Sequence, residues 1–144
     1  ESAWKALRPG GRYVIEMGGK GNVRKIEVAL TAAYQRFSSS SPPGLGDPNP
    51  WYYPSIGEYS GLLERQGFEV SFAALFDRPT PLENGEEGLR NWIRMFGGTF
   101  LKDVPEREHQ EFLRYIESET RPSLFRDGGW VADYRRLRLV AVKK

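Results

Sequence analysis

Hydrophobic and polar positions alternate in three segments of the chain, and each of these segments is predicted to form a β-strand. The first, residues 13–17, is a short apolar run between glycines. The second covers residues 68–76, and the third, residues 130–142, is polar at its start and apolar at its end. The alternation in the second segment predicts that one face carries Phe68, Val70, Phe72, Ala74 and Phe76.

Between the first two strands, apolar residues recur at the spacing of an α-helix. Residues 23–37 carry one such stripe, with Asn22 predicted as the N-cap of the helix. A second helix is predicted to begin with a capping box of Ser55 and Glu58, in which the hydroxyl and the carboxylate each accept from the other residue's backbone amide. Gly67 is predicted to end this helix.

Two further helices are predicted within residues 84–121, before the third strand. Asn84 and Glu87 are predicted to cap the first of them, and Pro105 is predicted to begin the second, with Pro122 beyond its end. The residues predicted on the apolar side of the first helix are Leu89, Trp92, Ile93 and Phe96, and those predicted on the apolar side of the second are Phe112, Leu113 and Ile116.

The alternation of strands and helices predicts an α/β fold. A length of 144 residues indicates a single domain, and residues 38–50, which are rich in serine and proline, are predicted to form a flexible loop within it. Three strands would leave apolar sheet edges exposed, and such edges tend to pair with other strands. We therefore expect strands from a missing N-terminal half, or from another copy of the chain, to complete the sheet.

Composition and charge exclude several classes of protein. The chain has no cysteine, which rules out disulfides, thiolate metal sites and cysteine nucleophiles, and its only histidine, His109, gives no support for a metal site. The net charge of +2 is far below that of a dedicated nucleic-acid-binding domain. No apolar run is long enough to cross a membrane, so we expect a soluble cytoplasmic protein.

Several stretches of the chain resemble class I S-adenosylmethionine-dependent methyltransferases. Residues 7–11 read Leu-Arg-Pro-Gly-Gly, which is similar to the turn before the fifth strand of that fold. Residues 53–70 resemble its following helix and sixth strand, and residues 133–142 resemble its seventh strand. Residues 76–82 and 88–96 are similar to the trans-aconitate methyltransferase-like branch of the family.

The resemblance implies a partial Rossmann-like fold with a small mixed sheet in the family's strand order five, seven, six. Residues 84–121 would then be a helical insertion that caps the substrate. Family members bind S-adenosylmethionine with a glycine-rich loop after the first strand, and that loop has no counterpart here. The glycines at 18, 19 and 21 follow the fifth strand and are interpreted as a turn. We expect residues 1–144 to be the C-terminal portion of a methyltransferase domain, with no cofactor bound to this portion alone.

No residue is assigned as catalytic, and the candidate substrate-binding residues each have a structural alternative. Glu16 either approaches the ligand crevice at the carboxyl end of its strand or lies at the rim or on the less buried face of the sheet. An aromatic group could line an acceptor pocket or simply pack in a core. The aromatic candidates are Trp51, Tyr52, Tyr53 and Trp92. Arg94 could clamp an acceptor carboxylate, with Met95 beside it, or be an ordinary exposed arginine.

Three functional hypotheses follow. The first is the substrate-side half of a methyltransferase that acts on a small molecule, with the trans-aconitate resemblance implying a carboxylate acceptor. The second is a non-catalytic module that self-associates through its sheet edges. The third is a nucleic-acid methyltransferase or binder, which the weak charge asymmetry disfavours. Arg135, Arg136 and Arg138 could contact nucleic acid, but the neighbouring acidic residues favour a strand-edge or salt-bridged role.

Overall fold

The computed structural model describes residues 2–38 and 49–144, so most of the predicted loop at 38–50 lies outside the described residues. The chain divides into two compact units. The sheet unit comprises residues 1–22, 52–78 and 134–144, and the helical unit comprises residues 23–51 and 79–133.

Helices and strands alternate along the described chain. The helices are α1 Ser2–Ala6, α2 Arg24–Phe37, α3 Ile56–Arg65, α4 Gly88–Phe96, α5 Gly98–Leu101 and α6 His109–Leu124, with 3₁₀ turns at Gly85–Glu87 and Glu106–Glu108. The strands are β1 Arg12–Gly18, β2 Phe68–Asp77, β3 Thr80–Pro81, β4 Phe125–Arg126, β5 Gly129–Ala132 and β6 Arg135–Lys143.

The sheet unit is built on a three-stranded sheet in the order β1-β6-β2. This is the predicted order five, seven, six, with the last strand of the chain inserted between the other two. β6 is antiparallel to both neighbours, so both hydrogen-bonded pairs in this sheet are antiparallel. β1 and β2 consequently run in the same direction, and their carboxyl ends lie at the same end of the sheet as the start of β6.

One face of this sheet forms the core of the sheet unit. Leu137, Leu139 and Ala141 of β6 are fully buried and pack with Leu63 and Phe68. Partly buried apolar residues of α1, α3 and β1 pack against this cluster, including Ala3, Trp4, Tyr13, Ile15, Met17 and Tyr59. Since successive residues of a strand point to opposite faces, Val14 and Glu16 lie on the other face of β1.

A β-bulge in β2 makes the predicted face of that strand wrong. The pairing register shifts between Val70 and Phe72. Beyond the bulge it is Ala73 and Leu75 that pack on the core, while Phe72 is 48% exposed. One extra residue reverses the alternation, so simple period-two counting fails from Ser71 onward.

Of the three predicted helix caps, only the capping box is confirmed. Ser55 N–H donates to Glu58 Oε2 at 2.7 Å, and Glu58 N–H donates to Ser55 Oγ at 3.2 Å. Asn22 is not a cap: its Oδ1 accepts from the backbone N–H of Arg135 at 2.8 Å. Asn84 makes no side-chain capping hydrogen bond, and its backbone adopts the left-handed conformation with φ of 69°.

The helical unit buries large side chains between its helices and a small second sheet in the order β3-β5-β4. Its fully buried residues include Ile26, Leu30, Leu89, Ile93, Phe100, Phe112, Ile116 and Trp130. The apolar sides predicted for α2, α4 and α6 are thus largely confirmed, although Phe96 is exposed at the end of α4. Pro122 lies inside α6 rather than beyond its end.

The third predicted strand, residues 130–142, is in fact two strands that belong to different units. β5 ends at Ala132 and β6 begins at Arg135. At the break, Asp133 turns to the start of α2: its carbonyl accepts from Val23 N–H at 3.0 Å, and its carboxylate accepts from Lys25 N–H at 2.9 Å. These hydrogen bonds replace the sheet ladder at this point, which the apolar pattern alone does not reveal.

Candidate functional site

A cluster of charged side chains lies at the edge of the sheet unit where β1 and β2 end and β6 begins. Glu16 of β1 stands directly opposite Arg138 of β6, and Arg136 stands opposite Gly18. Arg78 immediately follows the end of β2. Because carboxyl ends of strands that run in the same direction meet at one edge, three separate chain segments bring these side chains together. We call Glu16, Arg78, Arg136 and Arg138 the arginine cluster.

A single carboxylate holds all three arginines of the cluster. Arg138 donates to Glu16 Oε2 from Nε at 2.9 Å and from Nη2 at 2.5 Å. Arg78 Nη1 donates to Oε1 at 2.9 Å, and Arg136 Nε lies 3.4 Å from the same oxygen. Arg136 and Arg138 bring two positive charges to the one negative charge of Glu16, and Arg78 contacts the same carboxylate.

The arginines also set the protonation state of Glu16. The hydrogen bond from Arg138 lowers the pKa of the Glu16 carboxyl below its ordinary value, and the charges of Arg138 and Arg78 and the bond from Arg136 act in the same direction. Partial burial opposes the shift but is outweighed. Glu16 therefore remains ionised and keeps the arginines paired across the neutral pH range.

Two aromatic rings flank the arginine cluster. Gly18 shares the face of Glu16 because it lies two residues further along β1. A Cβ atom built at Gly18 would lie only 2.5 Å from Cε1 of Tyr53, so the ring of Tyr53 occupies the space above this glycine. On the other side, the Arg138 guanidinium carbon lies 5.1 Å from the centroid of the Phe76 ring, which is a cation–π contact.

The structure therefore brings together two of the predicted substrate-binding residues, Glu16 and Tyr53. Two others meet elsewhere: the rings of Trp51 and Trp92 lie 5.7 Å apart in the helical unit, where Trp51 also packs on Phe100 at 5.8 Å. Trp92 is buried, so its observed environment is that of a core residue.

The remaining predicted residues lie on exposed surfaces. Tyr52 and Met95 are largely exposed, and Arg94 is an exposed residue of α4 whose Nη1 lies 3.4 Å from Oδ1 of Asn91. Substrate binding by Tyr52, Arg94 and Met95 stays a prediction.

Sequence reasoning missed Arg78 and Phe76 as parts of this site. Arg136 and Arg138 were considered only as a nucleic-acid or salt-bridge cluster, and the salt-bridged interpretation matches the structure. One feature of the sequence could have identified Arg78: it lies two residues beyond the predicted strand 68–76, at the end where ligands of α/β sheets bind.

The glycine-rich turn after β1 does not offer a cofactor cradle. A Cβ atom at Gly19 would lie 2.5 Å from Leu75 Cδ1 and 2.9 Å from Leu137 Cβ, so protein side chains fill the space beside this glycine. Gly21, with φ of +86°, serves the turn itself. The residues of this turn therefore do not fit S-adenosylmethionine, and their interpretation as a tight turn agrees with the structure.

Within residues 2–38 and 49–144, no group of three histidine, aspartate or glutamate residues could hold a metal ion. His109 instead places Nε2 2.9 Å from the carbonyl oxygen of Val104. None of the helices in the same described ranges has the length and apolar character needed to span a bilayer.

Comparison with known proteins points to methyltransferases. No protein-family profile matches the chain. The chain is 29% identical, over 144 residues, to an uncharacterised methyltransferase of Schizosaccharomyces pombe, and the match covers 97% of this chain and 52% of that protein. It also resembles the crystal structure of a Bacillus halodurans protein described as a methyltransferase, with a TM-score of 0.51 and 13% identity.

The structural match covers 99% of this chain and 55% of the Bacillus halodurans chain. The chain thus spans about half the length of both proteins. Together with the observed order β1-β6-β2, this likeness shows that the chain has a methyltransferase-like α/β fold.

Proposed function

We propose that this chain forms the acceptor-side part of an S-adenosylmethionine-dependent methyltransferase that acts on a small molecule. The observation that carries the proposal is the similarity to a methyltransferase over 97% of the chain. The fold supports it, since an antiparallel last strand inserted between two parallel ones is the arrangement that the family resemblance implies.

In this proposal the methyl donor binds outside residues 1–144. S-adenosylmethionine would supply the methyl group, and the residues of this chain would bind and orient the acceptor. The turn at Gly19 supports this division, because the side chains of Leu75 and Leu137 fill the space beside this glycine. Holding the acceptor in a fixed orientation is by itself a large contribution to a bimolecular transfer.

The acceptor is proposed to carry a carboxylate. The resemblance of residues 76–82 and 88–96 to the trans-aconitate methyltransferase-like branch supports this substrate class, and the positive excess of the arginine cluster supports it independently. α4, α5 and α6, which include most of residues 84–121, are proposed to form a substrate cap.

The proposal is tested with two polypeptides: residues 1–144, and the complete product of the gene that encodes them. Calorimetry with S-adenosylmethionine should show binding for the complete product and no binding for residues 1–144. The complete product should also convert S-adenosylmethionine to S-adenosylhomocysteine when small carboxylic acids are added.

Two results would contradict the proposal in different ways. Tight binding of the donor by residues 1–144 alone would show that the cofactor site has been misplaced. Failure of the complete product to bind the donor would rule out methyl transfer altogether.

A second candidate function is a non-catalytic module that self-associates. The open face of the sheet favours it, since Val14 is 63% exposed there. Sedimentation equilibrium of residues 1–144 measures the mass directly: a dimer supports self-association, and a monomer up to high concentration eliminates it.

A further inference from the structure

We infer that Arg78, Arg136 and Arg138 form a binding site for an oxyanion group, a carboxylate or a phosphate, of the acceptor. That the ligand is the methyl acceptor rests on the proposed function. The binding site itself follows from contacts within the sheet unit alone.

The first argument is charge and donor capacity. The guanidinium groups of Arg136 and Arg138 together present more N–H donors than the two carboxylate oxygens of Glu16 can accept. Glu16 cancels one of these two positive charges, and the guanidinium group of Arg78 contacts the same carboxylate. Like charges this close repel one another, so a second anion that neutralises the excess is favoured at this position.

The second argument is that the donors are accessible. The side chain of Glu16 is only 23% exposed, whereas those of Arg78 and Arg138 are 61% and 51% exposed. The guanidinium groups therefore lie nearer the solvent than the carboxylate that holds them. A ligand can reach them without displacing Glu16.

The third argument is that the groups are held in place. Arg138 is fixed by two hydrogen bonds to Glu16 and by the ring of Phe76 beneath its guanidinium group. Arg136 donates to Glu16 twice: Nε donates to the carboxylate, and Nη2 lies 3.5 Å from the backbone carbonyl oxygen of Glu16. Less side-chain entropy is lost on binding when donors are already ordered, and this favours recognition of planar oxyanions by arginine.

The fourth argument is the position of the site. The cluster lies at the carboxyl ends of β1 and β2, the edge at which ligands of α/β sheets bind. The rings of Tyr53 and Phe76 stand on either side of it and provide apolar surface for the body of a small molecule. Glu16 is a positioning residue in this arrangement, because it acts on the ligand only through the arginines.

A titration of residues 1–144 followed by ¹H–¹⁵N NMR tests the inference. The probes are succinate, inorganic phosphate and succinamide, the last being a neutral analogue of succinate. We expect succinate or phosphate to produce saturable shifts of the amides of Glu16, Arg136 and Arg138, weakened by added salt, and succinamide to produce none. Tighter binding of succinate would identify a carboxylate ligand, and tighter binding of phosphate would identify a phosphate ligand.

Variants locate the binding. Arg136→Gln and Arg138→Gln should each weaken the affinity about fivefold, the effect of losing one partly exposed charged contact. Arg78→Gln should do the same, and since Arg78 lies beyond the end of β2 its replacement leaves the strand pairing intact. The matched control is Arg12→Gln, because Arg12 is an exposed arginine on the same strand and the same face as Glu16.

Equal shifts with succinate and succinamide, or equal weakening by Arg12→Gln and Arg78→Gln, would overturn the inference. The titration uses no methyl donor and measures no turnover. A negative result therefore leaves the methyltransferase proposal standing, and failure of donor binding by the complete gene product leaves the oxyanion site standing.

Discussion

The two units of this chain bury their large apolar side chains in contrasting ways. In the helical unit, Phe100 and Phe112 have no exposed surface and Trp130 has almost none. In the sheet unit, only one face of the sheet is packed, and on the other face Val14 is 63% exposed and Phe72 is 48% exposed. The comparison suggests a division of labour: dense packing stabilises the helical unit, while the open face of the sheet unit presents the charged and aromatic groups that could bind a ligand.

The largest predicted effect tests this contrast between the packed helical core and the open sheet face. Phe112→Ala should lower the free energy of unfolding by about 3–5 kcal/mol, because it removes a fully buried ring and leaves a cavity. The same substitution at Phe72 should cost about 1 kcal/mol or less, since that ring is already half exposed. Urea denaturation followed by circular dichroism measures both values. Similar losses for the two variants would mean that the open face is covered in solution.

The second prediction asks whether the packed side of the sheet unit is as tight as the helical core. Gly19→Ala would place a Cβ atom within 2.5 Å of Leu75 and 2.9 Å of Leu137. The neighbouring side chains must shift, at a cost of about 1–3 kcal/mol in the free energy of unfolding. Gly57→Ala is the control, because a Cβ atom there meets nothing within 4 Å and the helix should gain up to about 1 kcal/mol. An unchanged midpoint for Gly19→Ala would indicate a loosely packed sheet.

The same contrast explains which features could be predicted from the sequence. The stripes of α2, α4 and α6 are deeply buried, and burial of one helical face imposes a period that sequence counting detects. The strand order of the sheet followed from the family resemblance. The bulge near Ser71 was not predictable from the sequence. A bulge does not change the residue types along the strand; it changes only the face of the sheet to which each following side chain points.

The candidate site was only partly predictable for a related reason. Glu16 stood out as a charge within an apolar strand, and Tyr53 as part of an aromatic run. The arginine partners of Glu16 lie 62 to 122 residues away from it along the chain, on β6 and just beyond the end of β2. Only the pairing register brings them together, and the register depends on the whole sheet rather than on any local pattern.

The third prediction compares Ser55, the N-cap of α3, with Ser60 inside the same helix. Ser55→Ala removes the capping box and should cost about 1 kcal/mol of stability. Ser60 carries a buried hydroxyl for which the described residues provide no hydrogen-bond partner. Ser60→Ala should therefore be neutral or slightly stabilising, because it removes an unsatisfied buried group. Thermal melts of the two variants should move in opposite directions or differ clearly, and equal destabilisation would show that Ser60 does form a hydrogen bond.

The smallest predicted effect concerns pH and the arginine cluster. The folded protein lowers the pKa of Glu16 below its ordinary value of 4.5, so the ionised carboxylate stabilises the fold above that pH. This contribution is lost as the pH falls through the lowered pKa, where Glu16 takes up a proton. Glu16→Gln should consequently melt at a lower temperature than the parent at pH 7, and the two melting temperatures should converge below pH 4.5. Glu69→Gln, which breaks an exposed pair with Lys144, should shift the melting temperature less at pH 7. A constant offset between Glu16→Gln and the parent across the whole pH range would show that the paired charge of Glu16 does not stabilise the sheet unit.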